Sequence, residues 1–194
     1  MNVQSELTWG HSVLHILNER NQVNSKSPGW AHPQERPYSL DRIHHVGIVV
    51  PDLDVAVALF ADLYGIQITL FDPKPYPCKI NGIDEVAINQ IGLSVGEPPH
   101  VELLRAVPDS SVWTSMPGIH HIGFVVDDLK SAANTLEIAG SPIWMGGVKN
   151  GEFPTGTTYH RDPFGQVIEL MDRTTEARLS AQLKRASTEP TERC

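Results

Sequence analysis

Residues 42–52 read RIHHVGIVVPD and residues 118–128 read GIHHIGFVVDD. Two stretches 76 residues apart share paired histidines, a glycine two positions later, a β-branched apolar run and an acidic stop. Each stop is an aspartate suited to capping a helix, Asp52 or Asp128, and apolar residues at helical spacing follow. In the first copy these are Val55, Leu59 and Leu63; in the second, Ala132, Leu136 and Ala139. Gly65 and Gly140 mark the expected helix stops. Further strands are predicted in EVAINQIGL (85–93) and HVELLRAV (100–107), and again in TTYHRDP (157–163) and QVIELMD (166–172). The reading is an α+β fold in which a βαβββ module is used twice.

Strand parity then separates the two histidines of each pair. Successive side chains point to opposite faces, so His45, Gly47 and Val49 share one face and His44, Val46, Ile48 and Val50 the other. The second set is the more apolar and is expected to pack on the helices. His121, Gly123 and Val125 repeat the first arrangement, with His120, Ile122, Phe124 and Val126 behind them. A histidine beside a glycine leaves room on that face for a ligand. In the closing strands Val101 and Leu103, like Ile168 and Leu170, face the core and leave Glu102 and Glu169 on the other side. An inward carboxylate in so apolar a strand needs a partner.

The bulk composition bounds the rest. The 194 residues are 40% hydrophobic with a net charge of −8 and no basic run, which argues against a polyanionic partner and for small molecules. Two cysteines, Cys78 and Cys194, give neither a disulfide framework nor a thiolate metal site, so a reducing, cytoplasmic setting is expected. No secretory leader or membrane span is predicted. Residues 1–40 read as a short helix and a linker, with His11 and His15 as surface residues. Residues 175–194 read as a tail that starts as a frayed helix. Between them, module 1 is expected at about 41–115 and module 2 at about 116–174.

The doubled HH[VI]G openings, the VELL and VIEL strands and the DPFG turn resemble the vicinal oxygen chelate superfamily, which includes glyoxalase I, methylmalonyl-CoA epimerase, extradiol dioxygenases and antibiotic-resistance proteins. The resemblance covers about residues 41–173. It implies a glyoxalase-like curled sheet with a divalent metal in its cleft, held by His45, Glu102, His121 and Glu169. Two imidazoles and two carboxylates suit zinc, nickel, cobalt, manganese or iron. The implied chemistry is proton abstraction next to a chelated carbonyl, with Glu169 or Glu102 as the base, in an isomerase, epimerase or lyase.

Two other readings stay open. An extradiol-type iron dioxygenase would use His45, His121 and Glu169 and give Glu102 another role. A non-catalytic resistance-type binding protein would show an aromatic cleft without metal. His44 and His120 are expected in supporting roles, and Asp84 and Glu85 lie where the epimerases carry a second acid-base carboxylate, or in a turn. Tyr159 and His160 are left unplaced by parity. The stretch SPIWMGGVKNGEFPTGTTYH (141–160) is expected as a lid over the cleft. The resemblance further implies a small substrate with a carbonyl or vicinal oxygens, and pairing as a homodimer.

Overall fold

The computed structural model describes residues 42–188. The expected N-terminal helix, His11 and His15, and Cys194 lie outside that range. Strand β1 (Ile43–Val50) leads into helix α1 (Leu53–Tyr64), then β2 (Ile68–Leu70), β3 (Lys74–Ile80), β4 (Ile83–Asn89), β5 (Ile91–Ser94) and β6 (His100–Arg105). The second half runs β7 (His121–Val126), α2 (Leu129–Ile138), β8 (Ile143–Lys149), β9 (Glu152–Arg161), β10 (Val167–Asp172) and α3 (Arg173–Thr188). No helix among the described residues is long and apolar enough to cross a membrane.

The strands form one curled sheet in the order β2-β5-β6-β1-β7-β10-β9-β8-β3-β4. The antiparallel pair β1–β7 lies at the junction, and each of its members has a parallel neighbour, β6 beside β1 and β10 beside β7. The repeat seen in sequence is therefore a repeat in space. The β3–β4 hairpin departs from it: β3 pairs with β8, so a hairpin of the first half extends the sheet of the second.

The aspartate caps form as expected. Asp52 accepts a hydrogen bond from the Val55 amide at 3.1 Å and Asp128 one from the Ser131 amide at 3.0 Å. Gly65 ends α1 in the left-handed region, at φ 68°. The convex face of the sheet packs on α1 through Leu53, Ala56 and Leu103, and on α2 through Ala132, Leu136, Phe124 and Leu170.

Four expectations are corrected. Val55, Leu59 and Leu63 do not form the buried face of α1; they are 65%, 47% and 65% exposed, and the helix instead buries Leu53 and Ala56 beside Val57 and Phe60. EVAINQIGL is two strands, because Gln90 breaks the ladder between β4 and β5. The 141–160 stretch is not a lid but the hairpin β8–β9, with Trp144 and Met145 buried. Its glycines lie in a strand because large neighbours fill their space: Phe153 packs on Gly146 and Tyr76 on Gly147. The segment after Thr174 is a continuous helix to Thr188, not a frayed start to a tail, because Leu179 and Leu183 are buried against Phe71, Leu93, Val125 and Met171.

Candidate metal centre

The registry of four adjacent strands builds the site. One row across β6, β1, β7 and β10 runs Glu102, Gly47, His121, Val167, and the next runs His100, His45, Gly123, Glu169. Each histidine thus faces a glycine of the opposite half, with a glutamate one strand further on. A Cβ on Gly47 would collide with the His121 ring, and one on Gly123 with the His45 ring. The space beside each glycine, expected to receive a ligand, receives the other half's imidazole. That lets the two rings meet edge to face, with centroids 5.0 Å apart.

His45, Glu102, His121 and Glu169 are all buried, and one ligand atom from each lies within 4.8 Å of the others. The two Nε2 atoms are 2.9 Å apart. Glu169 Oε2 is 2.9 Å from His121 Nε2 and 3.2 Å from His45 Nε2. Glu102 Oε2 lies 3.3 Å from His121 Nε2 and 3.5 Å from His45 Nε2, yet no well-aligned hydrogen bond reaches this buried oxygen. At 2.9 Å two imidazole nitrogens must share a proton or turn their lone pairs to a common cation. Donors about 2.1 Å from one ion at right angles stand about 3 Å apart, so these separations fit a divalent ion. Two neutral imidazoles and two carboxylates also balance its charge. The three-ligand dioxygenase pattern would give Glu102, which the cluster includes, another role.

The electrostatics are those of a compact charged nest. Burial alone would lower the His121 pKa, but the Glu102 and Glu169 carboxylates outweigh it and push it up to about 9. Burial likewise opposes ionisation of Glu169, yet His45 and His121 hold it well below the usual carboxylate range. Behind them, burial first and then the adjacent imidazole push His44 and His120 down to about 4, with His45 the neighbour of one and His121 of the other.

A cavity of about 550 Å³ opens over this cluster, with Glu102 and Glu169 in its wall. Its aromatic lining is Phe71, Tyr76, Trp113 and Tyr159. Tyr76 shares a 2.7 Å hydrogen bond with Thr157. Burial raises the pKa of both tyrosines, so their hydroxyls stay protonated. Of the two residues parity left open, Tyr159 lines the cavity, whereas His160 is bonded to the Ser141 carbonyl and to Thr158 behind the sheet. Asp84 and Glu85 do not reach the cavity: both are exposed on the edge strand β4, where Asp84 pairs with Lys79 at 2.7 Å. Sequence reasoning did not place α3 against the site: this helix brings Arg178 and Gln182 to the cavity, which Lys74 of β3 also lines. The Asp172 carboxylate accepts from the Thr175 amide at 2.7 Å, which starts α3 directly after the Glu169 strand. A cap signal at Asp172 was therefore legible.

A twofold-repeated sheet with a His/Glu cluster and a cavity on its concave side defines the class. The chain belongs to the Glyoxalase/Bleomycin resistance protein/Dioxygenase superfamily, whose family model matches residues 44–159. Curated relatives include mitochondrial methylmalonyl-CoA epimerase from Mus musculus, 27% identical over 141 residues, which are 70% of this chain and 67% of that one. The Homo sapiens enzyme of the same name is 31% identical over 102 residues, which are 52% of this chain and 54% of that one. A 2-epi-5-epi-valiolone epimerase from an Actinomyces species is 28% identical over 151 residues, covering 67% of this chain and 78% of its own. Among solved structures, methylmalonyl-CoA epimerase from Mycobacterium tuberculosis has a TM-score of 0.47 at 21% identity, covering 75% of this chain and 93% of that one.

Proposed function

We propose that the protein is an epimerase or related isomerase that removes a proton from the carbon next to a carbonyl, at a divalent ion held by His45, Glu102, His121 and Glu169. The observation that supports this most is the convergence of four buried donors at the floor of a cavity whose wall contains both glutamates. A bound ion would supply a Lewis acid to polarise the substrate's carbonyl oxygen. Glu169 is held ionised by two imidazoles, which lowers its affinity for a proton. Glu102, whose Oε2 receives no well-aligned hydrogen bond in the ion-free site, would take the proton through that oxygen. The neutral Tyr76 and Tyr159 hydroxyls orient the substrate as donors, and the aromatic walls exclude water from its reacting carbon.

The cavity also indicates the substrate's charge. Lys74, Lys149 and Arg178, from β3, β8 and α3, line it, and none is in an ion pair among the described residues. By contrast, Lys79 is paired with Asp84 and Arg161 stacks on the Trp144 ring 3.4 Å from its centroid. Three unspent cations around one opening favour a substrate bearing a carboxylate or phosphate, as a CoA thioester does, over an uncharged polyol. Proton exchange tests this reading. In D2O, metal-loaded protein is expected to place deuterium at the α-carbon of methylmalonyl-CoA or a comparable anionic α-carbonyl compound, and Glu102→Gln to abolish it. Exchange unaffected by that substitution would overturn the assignment.

A further inference from the structure

His120, just before the candidate ligand His121, contributes nothing to the cavity wall, yet two hydrogen bonds fix its ring. Its Nε2 lies 2.8 Å from the Val112 carbonyl oxygen, and its Nδ1 lies 2.9 Å from His121 Nδ1. It is otherwise enclosed by the Trp144 and Tyr159 rings. A carbonyl only accepts, so His120 Nε2 carries the hydrogen. In a neutral imidazole Nδ1 is then a bare acceptor, and His121 Nδ1 must donate to it. The remaining nitrogen of His121, Nε2, is the one that faces His45, Glu102 and Glu169.

The first half repeats this contact without its anchor. His44 Nδ1 lies 2.9 Å from His45 Nδ1, but His44 Nε2 is buried with no hydrogen-bond partner. The nearest ring, His100 with its centroid 5.1 Å away, directs Nδ1 to the Ser94 carbonyl instead. With no partner on its Nε2, the His44 ring itself does not set which of the two Nδ1 atoms donates.

We propose that His120 is a positioning residue: with the Val112 carbonyl it locks His121 in the tautomer that presents Nε2 as a ligand, while His44 leaves the tautomer of His45 to be set by the ion itself. This rests on the metal-binding reading above. It makes the two halves unequal despite their shared sequence, with a preformed ligand in the second and an adaptable one in the first. Metal-ligating histidines are usually held through their second nitrogen by a carboxylate, carbonyl or water. Here a neutral histidine transmits the hold of a carbonyl across one more ring.

The test uses the full chain with 15N-labelled histidine. Long-range 1H–15N spectra of metal-free wild type are expected to show His120 neutral and protonated on Nε2; a proton on Nδ1, or on both nitrogens, overturns the proposal. Titration with Zn2+ or Co2+ then compares variants whose thermal melts match wild type. His120→Leu is expected to bind about 10–100-fold more weakly, while His120→Asn, whose amide oxygen takes the place of Nδ1, stays within about threefold of wild type. His44→Leu is expected to lose less than His120→Leu. Unchanged affinity in His120→Leu, or equal losses in the leucine and asparagine variants, would contradict an acceptor role. Wild type that binds neither ion yet shows the expected spectrum would retire the metal reading and leave the relay in place.

Discussion

Gly47 of β1 and His121 of β7 are cross-strand partners, and the imidazole of His121 fills the space in which a side chain at position 47 would begin. Gly123 and His45 stand in the same relation with the halves exchanged. The glycine of each HHxG motif therefore serves the histidine of the other motif. Gly47→Ala is expected to drive the His121 ring off its position, destabilising the fold by about 1–3 kcal/mol and weakening divalent-ion binding by more than tenfold. Thermal melts and ion titration check this. An alanine variant indistinguishable from wild type in both would refute the interlocking.

Two adjacent residues of α3 are expected to separate stability from recognition. Leu179 is 4% exposed in the apolar cluster beneath the helix, and its replacement by alanine should cost about 2–4 kcal/mol. Arg178 is exposed and lines the cavity, so Arg178→Met should leave the melting temperature nearly unchanged and raise KM for an anionic substrate several-fold. Denaturant unfolding and steady-state kinetics on the two variants measure the split. Equal effects on both properties would show that α3 has a structural role alone.

Cys78 gives a dependence on pH. Burial, with the Glu85 carboxylate second, pushes its thiol from 9.0 up to about 11. The thiolate is the reactive form, so alkylation of Cys78 in the native protein should stay slow at pH 8–9, where an unfolded thiol reacts freely. The raised folded-state value means that this group's contribution to stability is complete below about pH 9 and disappears as pH rises through about 11. Peptide mapping after timed iodoacetamide exposure, with and without denaturant, follows the modification. Equal rates in the two conditions would show the thiol to be accessible.

The sheet's inner and outer faces were legible because parity in β1, β6, β7 and β10 is enforced by alternation between apolar and polar or glycine positions. His45, Glu102, His121 and Glu169 fell on one face for that reason. The burial of α1 was not legible: the helix is apolar on two sides, Val55/Leu59/Leu63 and Leu53/Ala56/Val57/Phe60, and only the sheet beneath it selects one. The β8–β9 hairpin was obscured by its glycines, although Asn150–Gly151 marked its turn. Asn81–Gly82 marked the β3–β4 hairpin in the same way. All four residues have positive φ, between 50° and 80°, the geometry of tight hairpin turns. The pairing of β3 with β8 had no local signal, since it depends on how the sheet curls. The cation set of the cavity was hidden with it, because Lys74, Lys149 and Arg178 meet only through that pairing and the fold-back of α3.

Metal content of protein purified without chelators bears on the proposed centre most directly. Wild type is expected to carry, or to take up on titration, one divalent ion per chain, and the Glu102→Ala and Glu169→Ala variants to lose most of that ion while remaining folded. An iron-only site that survives Glu102→Ala would instead mark a three-ligand centre, and wild type that binds no divalent ion at all would contradict the proposal outright.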